Sequence, residues 1–272
     1  MTHAPSDRFT AQVVEKNLST QHLGKTILVY DEVESTNDLL KTIMHEPHYN
    51  GLVVFAKNQR RGKGREGRTW TAPADSSILC SSLIHLEGQP HDLAGPISLV
   101  CAVAVAQALI HTFQIPVRIK WPNDIYCDGK KLAGILIESS KIRPDQVAFI
   151  LGIGINLTQQ SIDFPPELRD TAVSVAQVLG RPLEPDEKIL LARQVIKELD
   201  DQLERMLQKN YDQLRHDWLH LAGGPDQPVI VTRQNQTFNA RIIDIDYCDN
   251  SLLVQNPGGL ILHLKQNTCK II

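Results

Sequence analysis

Lys120-Trp121-Pro122-Asn123-Asp124-Ile125-Tyr126-Cys127-Asp128-Gly129-Lys130-Lys131-Leu132-Ala133-Gly134-Ile135-Leu136-Ile137-Glu138 is the stretch on which the reading of this chain turns. Asp-Gly suits a two-residue hairpin turn, whose central residues need positive φ. Asp128-Gly129 therefore predicts a hairpin joining Ile125-Tyr126 to a strand from Leu132 through Glu138. Just upstream, Val117-Arg118-Ile119-Lys120 alternates apolar and polar, as a half-buried strand does. Gly134, inside an apolar strand, predicts close approach of another group. Pro122 fixes the backbone between Lys120 and Asn123-Asp124, whose oxygens suit a hard cation such as Mg²⁺ or the orientation of phosphates. The same Pro-Asn-Asp run is also ordinary turn composition. Lys131 either points to solvent or stands in a cleft as a fixed positive charge.

Working outward, Val147 to Ile155 reads as a further strand. Gly152-Ile153-Gly154-Ile155-Asn156-Leu157 lacks the third glycine of a dinucleotide loop; its two glycines predict backbone packed against a planar ligand. Thr171 to Leu179 reads as a helix stopped by Gly180 and Pro182, and Leu183 to about Leu221 as one long helical stretch. Gly223-Gly224-Pro225 breaks it and marks the clearest boundary in the chain. Beyond lie short strands at Val229–Thr232, Phe238–Ile245, Leu252–Gln255, Leu260–Leu264 and Cys269–Ile272, with a turn at Gly258-Gly259; a small, partly open barrel is expected. Toward the N-terminus, residues 6–20 suggest a short amphipathic helix and Thr26–Tyr30 a strand. Ser35 is placed to cap a helix running to about Met44, with Asp38 favouring its positive end. Leu52–Ala56 and Ile78–Ile84 read as buried strands, and Leu93–Phe113 as a long buried helix.

Between Leu52–Ala56 and Ile78–Ile84 lies a loop rich in charge. Lys57, Arg60, Arg61, Lys63, Arg65 and Arg68 face only Glu66 in it, interleaved with Gly62, Gly64 and Gly67. Glycines let a backbone approach a ligand and present its N–H groups. Arginines grip carboxylate and phosphate in two-pronged fashion. The P-loop pattern is not met. Taken alone, the loop is equally a solvated basic turn, an anion grip or a nucleic-acid patch. His216-Asp217-Trp218-Leu219-His220 has the spacing of a metalloprotease helix, but aspartate replaces the required base and no third ligand follows, so a helix-face histidine pair is expected.

Composition narrows the classes. The 272 residues are 42% hydrophobic and 22% charged, and the formal net charge is −3. A sizeable core is expected, and a strongly basic whole-chain field is absent. Cys80, Cys101, Cys127, Cys248 and Cys269 form no CxxC pair, which predicts reduced thiols and a cytoplasmic protein. Met1 to Arg8 carries no apolar signal segment. The apolar run Ile97–Ile110, broken by Ser98 and Gln107, falls short of the ~18 residues a bilayer span needs.

The motifs are individually weak, but their order is specific. Ser35-Thr36-Asn37, then Gly62-Lys63-Gly64-Arg65-Glu66-Gly67-Arg68-Thr69-Trp70, then Lys120 to Asp124, Lys131 to Glu138 and Gly152 to Asn156 resemble the biotin protein ligase family. The resemblance runs from about residue 22 to the end. It implies an α+β fold: a mixed-sheet catalytic domain with packed helices, related to class II aminoacyl-tRNA synthetases and lipoyl ligases, at 22–224, and an SH3-like β-barrel at 225–272. Residues 1–21 would be an extension too short for the winged helix-turn-helix of repressor members, so a ligase without DNA binding is implied.

The implied reaction joins biotin and ATP to biotinyl-5′-AMP, then passes biotin to a lysine of a biotin carboxyl carrier protein, such as that of acetyl-CoA carboxylase. ATP and Mg²⁺ are the implied cofactors; neither DNA nor a membrane is expected, and a homodimer is allowed. By position, the resemblance puts Ser35, Thr36, Asn37, Gln59, Gly62, Arg65, Ser81, Lys131 and Gly134 around biotin. It puts Gly64, Arg65, Arg68, Trp70, Lys120, Asn123, Asp124 and Asn156 around ATP, with Asp124 as a Mg²⁺ neighbour. Lys131, Arg65 and Arg68 would be the catalytic charges. Lys63 stands where the family loop has arginine, keeping a charge but losing the planar fork. A lipoate or octanoate ligase on the same fold is the nearest alternative, and a nucleic-acid-binding protein the alternative from another class.

Overall fold

The computed structural model of the chain describes residues 8–233, 236–266 and 269–271. The expected helix start at 6–7, most of the Met1–Arg8 segment and the strand end at Ile272 lie outside them.

The Asp128-Gly129 pair does form the hairpin, with φ of 49° and 75°. It joins β5 (Asp124–Cys127) to β6, which runs past Glu138 from Lys130 to Arg143. These strands belong to a seven-stranded sheet with β1 (Thr26–Val33), β2 (Leu52–Gln59), β3 (Ser77–Glu87), β4 (Val117–Lys120) and β7 (Gln146–Asn156), in the order β1-β2-β3-β7-β6-β5-β4. Only β1 and β2 pair in parallel. The sheet is therefore mixed, as expected.

Strand alternation sends side chains to two faces. One face packs on α3 (Pro90–Phe113), which in turn packs on α5 (Glu187–Leu207) and α6 (Tyr211–Leu221). At 24 residues, α3 is long and apolar enough to cross a membrane by composition, more than the run Ile97–Ile110 suggested. Nearly all of Gly95–Leu109 is buried in this core instead. The other face carries α2 (Thr36–Lys41) over a smaller cluster of Leu40, Met44, Leu52, Val54, Leu83 and Ile150. Ser35 takes the N-cap position of α2 without a side-chain capping bond, and the helix stops at Lys41, short of Met44.

The long helical stretch expected from Leu183 is two helices. Lys209, with φ of 60°, turns the chain between α5 and α6. The helix expected from Thr171 is only α4 (Val175–Leu179), capped by Ser174 and ended by left-handed Gly180. Ahead of β1, α1 (Ala11–Glu15) packs on α5. The buried carboxylate of Asp200 accepts the backbone N–H groups of Gln21, His22 and Leu23, so this segment is fastened to the core.

After Gly224, β8 (Pro228–Arg233), β9 (Gln236–Asp246), β10 (Ser251–Gln255), β11 (Ile261–Leu264) and β12 (Cys269–Ile271) form an antiparallel sheet in the order β11-β10-β9-β8-β12. Among the described residues its two edge strands do not pair, so the expected barrel is an open sheet. The β9–β10 turn docks on α3 and the loop after β4: the Asn250 amide donates to Ser98 Oγ at 2.7 Å, and its backbone carbonyl accepts the indole N–H of Trp121 at 2.9 Å. A Cβ on Gly95 would stand 2.3 Å from the Tyr247 carbonyl oxygen, so only glycine admits this turn. Two more links are the ion pair of Arg215 with Asp244 and the stacked rings of Tyr211 and Tyr247.

Candidate active site

The α2 face of the sheet holds a cavity of about 280 Å³. Its floor exists because side chains are missing from it. Gly134 pairs with Gly154 across β6–β7, and Gly152 pairs with Ser81 across β3–β7. A Cβ at Gly154 would meet the Trp70 ring at 2.6 Å, one at Gly134 would meet it at 3.0 Å, and one at Gly152 would meet Asn37 Oδ1 at 2.3 Å. The planar ligand expected over Gly154 is not what lies there: the protein's own Trp70 indole does.

One end of the cavity is neutral and tightly bonded. Gln59 Oε1 accepts the backbone N–H of Thr36 at 2.8 Å and its hydroxyl at 3.1 Å. Ser81 Oγ lies 2.6 Å from both Thr36 Oγ1 and Asn37 Oδ1. Ser35, Thr36, Asn37 and Ser81 are all buried. Buried polar groups of this kind must be paired with one another or with a ligand.

The other end is charged. Residues 62–70 close into a narrow hairpin: Trp70 N–H donates to Gly62 O at 2.9 Å, and Gly64 N–H to Arg68 O at 2.7 Å. Its tip, Glu66-Gly67, is left-handed, with φ of 56° and 74°. Arg65 reaches across to Asn123 Oδ1 at 2.8 Å, and burial holds its guanidinium below its ordinary pKa. The Asn123 amide also donates to Ile135 O, so it is fixed at both ends. Lys131 Nζ lies 2.7 Å from Asp124 Oδ1 and 5.8 Å from the Trp70 ring centre. Arg68 pairs with Glu66 at 3.1 Å and is otherwise exposed to the cavity mouth.

Thirteen of the expected residues line this single cavity: Ser35, Thr36, Asn37, Gln59, Gly64, Arg65, Arg68, Trp70, Asn123, Asp124, Lys131, Gly134 and Asn156. Three do not, and each has a physical reason. Gly62 is turned into the hairpin, where a Cβ would meet Trp70 O at 2.4 Å. Ser81 sits behind Thr36 and Asn37 and is fully buried. Lys120 lies over the Tyr126 ring, 4.6 Å from its centre; burial lowers its pKa, partly offset by Asp124. The basic loop is also divided. Lys57, Arg60 and Arg61 pair outward with Asp31, Glu32 and Glu34, while Lys63, Arg65 and Arg68 line the cavity. Lys63 is held by Asp38 at 2.5 Å.

Other lining residues gave no sequence signal. Tyr126 follows Asp124 by two on β5 and so shares its face; burial, then Asp124, raise its phenol pKa. Phe164, Leu168, Thr171 and Ala172 come from an irregular segment without periodicity. Main-chain bonds fasten it to Lys131, whose N–H donates to Thr171 O at 2.7 Å while its O accepts from Val173 at 2.9 Å. Asn156, expected beside ATP, donates to Val173 O and accepts from Gln159, tying the same segment down.

No group of three His, Cys, Asp or Glu side chains able to hold a metal occurs among the described residues. At the charged end Asp124 offers one carboxylate. Mg²⁺ is commonly held by one or two carboxylates plus substrate phosphates, so the residues fit a metal that arrives with a nucleotide. His216 and His220 of α6 are both exposed, the helix-face pair expected, and Trp218 between them is buried in the core.

Residues 29–156 match the model of the biotin/lipoate A/B protein ligase family. A biotin–[acetyl-CoA-carboxylase] ligase of Paracoccus denitrificans is 32% identical over 210 residues, covering 76% of this chain and 85% of that protein. A bifunctional ligase/repressor BirA of Bacillus spizizenii is 28% identical, covering 89% of this chain and 73% of its own. The solved structure of the Aquifex aeolicus biotin protein ligase in complex with biotin and ATP shares the fold, with a TM-score of 0.71 at 23% identity, over 91% of this chain and 99% of that one. The conjunction of motifs in one cavity and the extent of these likenesses agree: the chain belongs to the biotin protein ligase family.

Proposed function

We propose that this chain activates biotin with ATP, forming biotinyl-5′-AMP and pyrophosphate, and then transfers the biotinyl group to a lysine of a carboxylase carrier protein. The observation that carries this reading is the joining of a neutral hydrogen-bonding end and a cationic end in one cavity of about 280 Å³. Biotin has the same division: a ureido ring with two N–H donors and a carbonyl, and a carboxylate at the end of an apolar chain. Thr36, Asn37 and Gln59 suit the ring, with Ser81 bracing them from behind, Trp70 walls the chain, and Arg65, Arg68 and Lys131 suit the carboxylate and the α-phosphate.

The chemistry asks for charge control. In the first step a carboxylate oxygen attacks the α-phosphorus and pyrophosphate leaves, which brings like charges together. At an effective dielectric of ~20, one cation ~4 Å away contributes roughly 4 kcal/mol of attraction. Lys131 and Arg65 are positioned for this by Asp124 and Asn123, and preorganised charges act without further reorganisation. Mg²⁺ would neutralise the phosphates, with Asp124 as its protein neighbour. In the second step the carrier amine attacks the anhydride carbonyl, AMP leaves and the amine loses a proton; Asp124, a carboxylate lining the cavity, is the base we assign to it. No covalent enzyme intermediate is required.

We further infer that 22–224 forms the catalytic unit and 225–272 a supporting one, divided at Gly223–Pro225. A cytoplasmic location goes with the thiols of Cys80 and Cys101, which burial keeps protonated by pushing their pKa up, that of Cys80 to about 12. The test is exchange of labelled pyrophosphate into ATP. Exchange that depends on biotin supports the reading; its absence with active, folded protein contradicts it.

A further inference from the structure

Glu138 lies on β6, outside the cavity wall, and nothing in the chemistry above uses it. Its carboxylate is nonetheless bonded to the neutral end. Oε2 accepts from Asn37 Nδ2 at 2.8 Å, and Oε1 accepts from Lys41 Nζ at 2.6 Å. Lys41, one turn beyond Asn37 on α2, has its pKa raised by that bond.

An ionised carboxylate has no proton to donate. The Asn37 amide must therefore turn its nitrogen toward Glu138, where it also meets Leu136 O at 3.4 Å. Its oxygen then faces Ser81 Oγ, in the space that Gly152 keeps open. At the opposite side the backbone N–H of Thr36 fixes Gln59 in the same manner, oxygen toward Thr36. The hydroxyls of Thr36 and Ser81 rotate between these two fixed amides. The donor and acceptor pattern of the pocket is thus set from outside it.

We propose that Glu138 is a positioning residue that determines specificity for a ligand head group carrying N–H donors, by locking the Asn37 amide with its oxygen over Gly152 at the cavity floor. The proposal rests on the biotin reading. Replacing Glu138 with glutamine keeps the shape but makes the two contacts compete. Lys41, which has only donors and otherwise lies 3.7 Å from Asp38, competes for the single amide oxygen. The amide nitrogen is left facing Asn37, which must flip and point its own N–H groups into the pocket, against the N–H groups of the ureido ring. Removing Lys41 frees the glutamine oxygen to accept from Asn37 again.

The test measures pyrophosphate exchange in the wild type and in Glu138→Gln, Lys41→Met and the double variant. Glu138→Gln is expected to raise the KM for biotin by about tenfold, the size of a 1.4 kcal/mol change. The KM for ATP and kcat should stay within about twofold, as for loss of uniform substrate binding. Lys41→Met alone should behave as wild type, and the double variant should regain most of the biotin affinity. A merely structural role would lower kcat or the thermal midpoint without selectivity for biotin, and a second substitution would not restore it. An unchanged biotin KM in Glu138→Gln, or no recovery in the double variant, overturns the proposal. If Glu138→Gln does not fold, the double variant decides: a biotin KM near wild type supports the proposal, and one near tenfold higher contradicts it. Wild-type protein lacking biotin-dependent exchange would instead count against the functional reading.

Discussion

At one end of the cavity Thr36, Asn37 and Ser81 are buried, uncharged and bonded to one another. At the other, Arg65, Arg68, Lys131 and Asp124 are partly open to solvent and carry full charges. The first arrangement suits recognition, because a buried polar group left unpaired by the wrong ligand is costly. The second suits a reaction in which negative charge accumulates, because fixed cations favour the transition state more than the separated reactants. Each end is also held differently. The neutral end is locked by neighbours on α2, β2 and β6. The charged end rests on a hairpin and on a loop, Trp121 to Asn123, braced from behind by Asn250.

If the ends divide the work this way, substitutions at each should be separable in kinetics. The largest effect is expected at the charged end. Lys131→Ala should lower kcat for pyrophosphate exchange by about 10²–10³, the range for removing one preorganised charge or donor, while equilibrium binding of biotin, whose carboxylate Lys131 also faces, weakens far less. A proportional loss in biotin binding would break the division. Next is Arg65→Gly, which deletes the bond to Asn123 that closes the hairpin over the cavity. Hydrogen bonds to charged groups contribute about 1.5–3 kcal/mol, so retention of the adenylate should shorten roughly tenfold to a hundredfold. Labelling of lysines on a bystander protein should rise with it; unchanged retention on gel filtration would count against the hairpin as a closure. The smallest effect is expected at the neutral end. Thr36→Val removes one hydroxyl and should raise the KM for biotin by about tenfold or less, at the scale of a neutral hydrogen bond, leaving the KM for ATP and kcat alone.

How much of this was readable in the chain follows the same division between local and distant causes. The Asp128-Gly129 hairpin, the buried α3 and the five C-terminal strands were legible because turn chemistry and periodicity are local. Sorting the basic loop was not. Lys57, Arg60 and Arg61 face outward because Asp31 and Glu32 on neighbouring β1, and Glu34 just after it, draw them there, and strand pairing is set by tertiary structure. The glycines of β7 predict packing against a planar ligand; that the protein's own Trp70 fills the room depends on how residues 62–70 fold back. Phe164, Leu168, Thr171 and Ala172 reach the cavity on an irregular segment whose position depends on bonds to Lys131. The helix break at Lys209 rests on one positive φ, a conformation non-glycine residues seldom take and no periodicity announces.

The most direct measurement is pyrophosphate exchange into ATP with biotin, lipoate and octanoate supplied separately. Two ends of this character, one with paired hydrogen-bonding groups and one with cations, predict exchange with biotin and little with lipoate or octanoate, which share the carboxylate but lack the ureido ring. Exchange with lipoate or octanoate in place of biotin would contradict the account at its centre.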